Sequence, residues 1–366
     1  MRVFLSPPWM NGTAEREAVA AAFDSNYIAP CGPMVDALEQ EAARRFGFTD
    51  VLATVSGTMA LELIARAMEI RSGDEVIASN LTFIASVAPF VTLGATPIFV
   101  GSEPSTWTMS PTLLECALKA HPRARAVIAT DLYGQSCDLD ALISLCEAYG
   151  VKLISDAAES VGATYRGRAS GVGAWATVYS LNGNKIITSG GGGLLLSSDR
   201  ALMVKCRSLA CQAREPVAWY EHRCVGTHGR MGNIPAAIGW AQLRHLDEAL
   251  RDKAQVWEAW NERFVSHSWI SPMPTAAYGM PNRWLTVALL DGCDPLVATE
   301  VLAKRGIEAR PLWKPMVLQP VFEKMEAFGT EIDAMLFKRG ICLPSGRGIK
   351  VEIMDEVLEL LEEARE

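Results

Sequence analysis

Short apolar runs recur along the chain at wide spacing: EVIAS (75–79), TPIFV (96–100), RAVIAT (125–130), VKLIS (151–155), ATVYSL (176–181) and GLLLS (193–197). Runs of this length without polar alternation predict strands buried on both faces of a sheet. Helical segments lie between them. GTMALELIARAMEI (57–70) is rich in good helix formers. Ser110-Pro111 sets an N-cap and an N1 proline ahead of TLLECALKAH. Asp138 can cap LDALISLCEAYG, with Gly150 to end it. The alternation predicts crossover units and a mainly parallel sheet. FIASVAPFVTLGATPIFV (83–100) imitates a membrane span, but Pro89, Gly94 and Pro97 break it, so it predicts helix, turn and strand, and no membrane partner.

The pattern fades after about Gln242. LRHLDEALRDKAQVWEAWNERFVSH then predicts one long helix. Shorter elements follow: strand-like RWLTVALL, a helix over LVATEVLAKRG capped by Asp294-Pro295, and a last helix from about Val351. A chain of 366 residues accommodates two domains. The pattern divides it into a large α/β domain (1–245) and a smaller α+β C-terminal domain (246–366). Composition adds little beyond exclusions. With 49% hydrophobic and 21% charged residues, wholesale disorder is ruled out. A net charge of -8 argues against nucleic acid as a main partner, while leaving room for a local basic pocket. Nine cysteines, an odd number with no C-x-x-C, and a start (MRVFLSPPWM) unlike a signal peptide predict reduced thiols in a cytoplasmic protein.

The chemistry centres on SLNGNKIITSGGGG (180–193). A phosphate-binding P-loop needs lysine directly after glycine and a hydroxyl residue next; here the order is Gly183-Asn184-Lys185-Ile186. A dinucleotide fingerprint needs a helix after its glycines, whereas Gly190–Gly193 leads into a strand. Taken alone, the loop is equally a surface hairpin with a solvated lysine. Asp156 shifts that balance, because it ends a buried strand, where open α/β sheets bind ligands. A nucleophilic lysine and a carboxylate facing one crevice are what pyridoxal 5′-phosphate (PLP) requires: the lysine bonds to the cofactor and the carboxylate pairs with its ring nitrogen. SGTMA (56–60) opens a helix whose first N–H groups suit a phosphate, although Ser56 is equally an ordinary N-cap.

Other signals are weaker. His222, Cys224 and His228 match no zinc spacing, so no metal is predicted. The five histidines offer no Ser-His-Asp order. Trp257, Trp260 and Trp269 read as packing at a domain or subunit junction. Arg310 and Lys314 in ARPLWKP could hold a nucleotide diphosphate or simply be solvated. Asn26 and Tyr27 in SNYIAP either line a substrate site or form a plain connection.

Nearly the whole chain resembles the DegT/StrS family of sugar aminotransferases, a branch of the fold-type-I PLP enzymes. The resemblance rests on SGTMALELIARAMEIRSGDEVIASNLTFIASV, YGQSCDLDALISLCEAYGVKLISDAAESVGA, YSLNGNKIITSGGGGLL and RPLWKPMVLQPVF. FLSPPWM, SNYIAPCGP, NGNKIIT, NRWLTVALL and ICLPSG point to the branch of UDP-N,N′-diacetylbacillosamine biosynthesis. The resemblance implies that Lys185 bonds to PLP and later carries a proton between cofactor and sugar. It implies that Asp156 pairs with the pyridine nitrogen, Glu159 contacts the cofactor hydroxyl, and Phe83 stacks on the ring. Gly57, Thr58 and Ser180 match phosphate-binding positions. It further implies that the segment 226–239 reaches the partner subunit's site in a homodimer, with His228 standing where the family has an asparagine. Asn26, Tyr27, Ile28, Ala29, Ser56, Arg230, Arg310 and Lys314 are the implied substrate contacts. The implied reaction moves an amino group from glutamate to C4 of a nucleotide-linked 4-keto-6-deoxy sugar. Asp131, Ser155 and Val317 also depart from the family's usual residues, and three of the four departures are expected near the substrate pocket. Two alternatives stay open at this point: a sugar dehydratase or deoxygenase of the same fold, which the lysine disfavours, and a silent PLP-binding regulatory relative.

Overall fold

The structure is a computed structural model, and it describes residues 2–365. Strands β1 (Asp50–Thr54), β2 (Glu75–Ser79), β3 (Thr96–Val100), β4 (Ala126–Thr130) and β5 (Lys152–Asp156) come first. A small hairpin follows, β6 (Thr164–Tyr165) and β7 (Arg168–Ala169), then β8 (Ala176–Ser180) and β9 (Gly193–Ser197). The C-terminal part adds β10 (Ile270–Pro272), β11 (Gly279–Met280), β12 (Thr286–Leu290), β13 (Arg310–Pro311), β14 (Ala327–Phe328) and β15 (Gly340–Leu343). The main sheet has the order β1-β9-β8-β5-β4-β2-β3-β14. It is parallel from β8 to β14, and β9 runs antiparallel to both neighbours. An antiparallel sheet, β10-β12-β15-β13, forms the C-terminal layer, and β11-β6-β7 a third, small sheet.

Both faces of the main sheet are covered, which is why its strands read as unbroken apolar runs. Along β2, Val76 and Ala78 pack with the Gly57–Ala67 helix, while Ile77 faces Leu114, Leu118 and Leu142 on the other side. Each such buried aliphatic side chain contributes roughly 1.5–3 kcal/mol. A separate core of Trp260, Phe264, Leu290, Leu343 and Leu361 joins the C-terminal sheet to the helices Leu246–Phe264 and Val351–Glu363.

The predicted strands and helices form, with local differences. Strand β1 was not among the predicted runs, because its apolar stretch is only Val51-Leu52-Ala53. Asp138 stands at the N-cap of Leu139–Ala148 but caps no N–H; its carboxylate accepts from the Tyr165 hydroxyl at 2.5 Å instead. The long helix begins at Leu246, after a break at His245. Sequence periodicity also conceals how the two parts interlock. Strand β14, from beyond residue 246, joins the edge of the main sheet beside β3, and the N-terminal Val3 bridges to Ile307.

Strand order reverses between β4 and β2, so the helices that follow them leave in opposite directions. A crevice opens there beyond the carboxyl ends of the strands. Thr82 and Thr130, just past β2 and at the end of β4, hydrogen-bond across it at 2.9 Å.

Candidate active site

Lys185 stands on the loop joining β8 to β9. The loop is closed at its base by Leu181 N–H donating to Gly192 O and Ser189 N–H donating to Leu181 O, both at 2.9 Å. The Lys185 amine opens into a cavity of about 420 Å³. Asp156, Glu159, Ser180, Phe83 and the first turn of the Gly57–Ala67 helix line the same space. Its Nζ lies 3.7 Å from the centroid of the Trp284 ring. Burial pushes the Lys185 amine below its ordinary pKa, while the Glu159 and Asp156 carboxylates pull the other way. The net direction is downward, toward the neutral amine that nucleophilic chemistry needs.

The two carboxylates are buried and held from behind. Burial raises both above the usual carboxylate range, and Lys185 opposes this in each case. A hydroxyl chain supports Asp156: Ser86 donates to its Oδ2 at 2.5 Å, and Ser86 and Thr130 each meet Thr82. Ala158 N–H adds a bond to Oδ1 at 3.2 Å. Glu159 accepts from Tyr133 N–H at 2.7 Å and from the Trp313 indole at 3.1 Å. Tyr133 reaches that position in the left-handed region (φ 48), and Gly134 follows at φ 101. A Cβ on Gly134 would lie 2.1 Å from Asn282 Oδ1, so the turn admits only glycine there.

Ser56 caps the Gly57–Ala67 helix by accepting from Met59 N–H at 3.0 Å. The N–H groups of Gly57 and Thr58 belong to the first turn, which has no acceptors within the helix, so they are available to an anion in the cavity. Gly193 sets this turn in place. A side chain at Gly193 would put Cβ 2.4 Å from the Gly57 nitrogen. The last glycine of the run therefore serves close packing of β9 against the helix, whereas Gly191 and Gly192 border the cavity itself.

A second cavity, of about 500 Å³, adjoins the first and shares Phe83, Asn184, Trp284 and Trp313 with it. Residues 4–8 form one wall, and Arg310, Pro311 and Cys342 another. Tyr133 is stacked between Trp284 and Trp313, with centroids 6.4 and 6.2 Å away.

Residues 10–362 match the DegT/DnrJ/EryC1/StrS aminotransferase family. EpsN of Bacillus subtilis (strain 168), provisionally named a pyridoxal phosphate-dependent aminotransferase, is 44% identical over 98% of this chain and 95% of its own. A GDP-perosamine synthase of Caulobacter vibrioides is 34% identical over 99% and 98%. In fold, the chain is similar to the aminotransferase TlmJ of Streptoalloteichus hindustanus, with a TM-score of 0.92, 24% identity, and coverage of 99% of this chain and 98% of that one. The chain belongs to the DegT/DnrJ/EryC1/StrS aminotransferase family. It is a PLP-dependent sugar aminotransferase with the α/β fold of the fold-type-I enzymes.

The donor set fits the family's cofactor: an amine with lowered pKa, a supported buried carboxylate, and free N–H groups at a helix N-terminus around one cavity. When bound, PLP supplies an electrophilic aldehyde and a ring that accepts electrons. Lys185 would hold the aldehyde carbon, Asp156 the ring nitrogen, and Gly57, Thr58 and Ser180 the phosphate. Phe83 is half exposed and stands at the cavity wall, its ring centroid 5.3 Å from that of Trp313.

Of the residues singled out in the sequence, Lys185, Asp156, Glu159, Phe83, Ser56, Gly57, Thr58 and Ser180 line the first cavity and Arg310 the second. Other sequence candidates line neither. Asn26, Tyr27, Ile28 and Ala29 form a connection ahead of the Pro33–Phe46 helix, and Ala29 O accepts from Asn233 N–H. His228 is exposed and pairs through its backbone with Cys211. Arg230 bridges to Thr54 through its backbone, and its guanidinium lies 3.9 Å from Glu39. Lys314 contributes its carbonyl to Gln319.

Asp131 and Ser155, two of the departures from the family pattern, stand beside residues that line the first cavity without lining it themselves. Asp131 is fully buried beneath it, accepting from Cys137 N–H and the Ser160 hydroxyl, and burial lifts its pKa to about 7. Ser155 is buried on β5 with its hydroxyl unpaired, and Val317 packs against the main core while its N–H meets Asn80. Sequence reasoning missed Ser86, Thr82, Tyr133, Trp284 and Trp313. The tryptophans lie within stretches that carried the family resemblance, NRWLTVALL and RPLWKP, which was the available signal.

Proposed function

We propose that this enzyme transfers an amino group from glutamate to the C4 keto carbon of a nucleotide-linked 4-keto-6-deoxy sugar, UDP-2-acetamido-2,6-dideoxy-4-hexulose, in bacillosamine-type glycan biosynthesis. The observation that carries the reading is the Lys185 amine, its pKa lowered by burial, facing Asp156 and Glu159 in one cavity that opens into a second. Lys185 bonds to the cofactor and moves the proton at its Nζ. Asp156 keeps the ring nitrogen protonated, and Glu159 fixes the cofactor hydroxyl. The second cavity takes the sugar nucleotide: it is large enough for a sugar with part of its carrier, its aromatic walls suit a sugar ring or a base, and Arg310 suits a phosphate. The choice of UDP over the GDP of the perosamine synthases rests on the sequence stretches shared with the bacillosamine branch.

The working unit is a homodimer in the cytoplasm. His228 and Arg230 serve the neighbouring subunit's site, a reading supported by neither residue lining a cavity of its own chain. No described helix is long and apolar enough to cross a membrane.

The test has two parts. Glutamate alone should convert the cofactor's aldehyde-form absorbance to the amine form, and Lys185→Ala should abolish that conversion. The UDP-linked keto sugar should then restore the aldehyde form faster than a GDP-linked 4-keto-6-deoxy sugar. Restoration by the GDP sugar alone refutes the substrate assignment, and an active Lys185→Ala enzyme refutes the site.

A further inference from the structure

Lys253 lies in the Leu246–Phe264 helix with 3% of its surface exposed, and among the described residues no carboxylate pairs with it. Its three N–H bonds all go to oxygens: Trp284 O at 2.9 Å, Ser345 O at 2.5 Å and Ser6 Oγ at 3.3 Å. In its charged form this amine has three donors, and all three are used. The partners come from three separate segments: the N-terminal segment, the lead-in to β12, and the residues after β15.

Two of those partners converge again. The Ser6 hydroxyl donates to Asn184 O at 3.0 Å, and the Trp284 indole N–H donates to the same oxygen at 2.6 Å. Asn184 precedes Lys185 in the loop, and the Trp284 ring is the surface over which the Lys185 amine lies. The ring of bonds is therefore closed: Lys253 grips Ser6 and Trp284, and both grip the carbonyl beside Lys185. Ser345 braces the same joint, since its N–H donates to Leu5 O and its hydroxyl accepts from Thr286 N–H, both at 2.7 Å.

We propose that Lys253 is a positioning residue of the active site, fixing the Asn184 carbonyl and the Trp284 ring and, through them, the place of the Lys185 amine. The proposal rests on the reading of Lys185 as the cofactor-bonding lysine. It separates Lys253 from a merely structural buried cation, because both arms end at one carbonyl of the lysine loop. Losing Lys253 leaves two buried carbonyls without donors and lets the loop and the ring move independently.

The test uses the full chain freed of cofactor, with PLP then added. The readout is the rate of covalent capture, followed by absorbance and by borohydride reduction with peptide mapping. Lys253→Met should slow capture ~10-fold and Ser6→Ala ~3-fold, the cost of a misplaced reacting group. The double variant should be no slower than Lys253→Met, because Ser6 acts within the same ring. Leu361→Ala, in the separate C-terminal core, supplies a destabilised control of unaltered site. Capture by Lys253→Met at the control's rate overturns the proposal, as do effects that multiply in the double variant. If Lys253→Met does not fold, Ser6→Ala decides: slowed capture supports the proposal and wild-type capture overturns it. Reduction of the wild-type enzyme that labels a residue other than Lys185 overturns the underlying reading, and the proposal with it.

Discussion

Replacing Gly193 with alanine should cost the enzyme most of its hold on the cofactor without touching any residue that contacts it through a side chain. Gly193 is paired with Thr54 on β1 and Ser180 on β8, at the point where three strand ends meet the first turn of the Gly57–Ala67 helix. A Cβ there would stand 2.4 Å from the Gly57 nitrogen, 2.6 Å from the Ser56 carbonyl carbon and 2.7 Å from the Gly57 Cα. All three are backbone atoms, so no side chain can swing aside. Ordinary contact needs about 3.5 Å, so the helix turn must retreat by about 1 Å. A hydrogen bond of about 2.9 Å drawn out by that much is lost. In the proposed site the N–H groups of Gly57 and Thr58 would each donate to the phosphate, and at about 1.5 kcal/mol for each bond to a charged group the loss is about 3 kcal/mol. That is about a hundredfold in affinity. Overpacking also removes about 1–3 kcal/mol of stability. The assay is an absorbance titration of the cofactor-free enzyme with PLP, beside thermal unfolding. Leu361→Ala, which opens a cavity far from the site, should match the loss of Tm while keeping cofactor affinity. Wild-type affinity in Gly193→Ala, or an equal loss of affinity in Leu361→Ala, would refute the reasoning.

Three further outcomes follow from the same geometry. Ser86→Ala removes the hydroxyl donor to Asp156; with that bond gone the carboxyl pKa rises further, and the rate of the glutamate half-reaction should fall ~10-fold, measured by stopped-flow absorbance. Glu159→Gln removes one of the two anions that favour the Lys185 ammonium, so the Lys185 pKa should fall further, read from the pH dependence of cofactor capture. Burial lowers Lys253 to about 7 from 10.5. In that window the unfolded chain binds more protons than the folded one, so stability rises with pH from about 7 to about 10.5 and is flat in this respect below 7. Urea unfolding at about pH 7.5 and about pH 9.5 should show a gain of roughly 2 kcal/mol in the wild type that Lys253→Met lacks. The same slope in both proteins would assign the effect to other groups.

The parts of the site that could be read from sequence are those whose chemistry sits at the end of a strand. Asp156 closes a run of buried residues, Lys185 follows another, and Ser56-Gly57-Thr58 precedes a helix-forming segment, so position and residue type spoke together. Ser86 was hidden because a serine in an apolar, proline-broken stretch carries no periodic signal. Its role appears only when the 3-10 turn Ile84–Ser86 brings it under Asp156, 70 residues on. The glycine run was legible as a need for small residues, but its purpose was not. At Gly193 the steric demand comes from another part of the chain, the backbone of Ser56 and Gly57. Asp131 and Ser155 stand one residue from the cavity-lining Thr130 and Asp156, yet neither lines the cavity. Alternation along a strand end puts neighbouring residues on opposite sides, and both fall beneath the pocket rather than in its wall.

The aromatic wall shows how far such reading can reach. Trp284 precedes a strand and Trp313 follows one, and in sequence both resemble core residues of the C-terminal part. Each is tied to the main-sheet side over a long separation: Trp284 to Asn184 O, and Trp313 to Glu159 and the Tyr133 hydroxyl. Tyr133 is what brings them together. Its left-handed backbone costs about 1 kcal/mol or more, and it persists because one residue then satisfies Glu159 through its N–H, Trp313 through its hydroxyl, and both indoles through its ring. Helical and strand periodicity change at about residue 245, but the site is assembled across that point. A tyrosine at the end of a main-sheet strand clamps two tryptophans from the C-terminal part, and Lys185 lies over one of them. Weakening that clamp should loosen the second cavity before it unfolds either sheet, because the strained turn is held by these contacts rather than by the strands beside it.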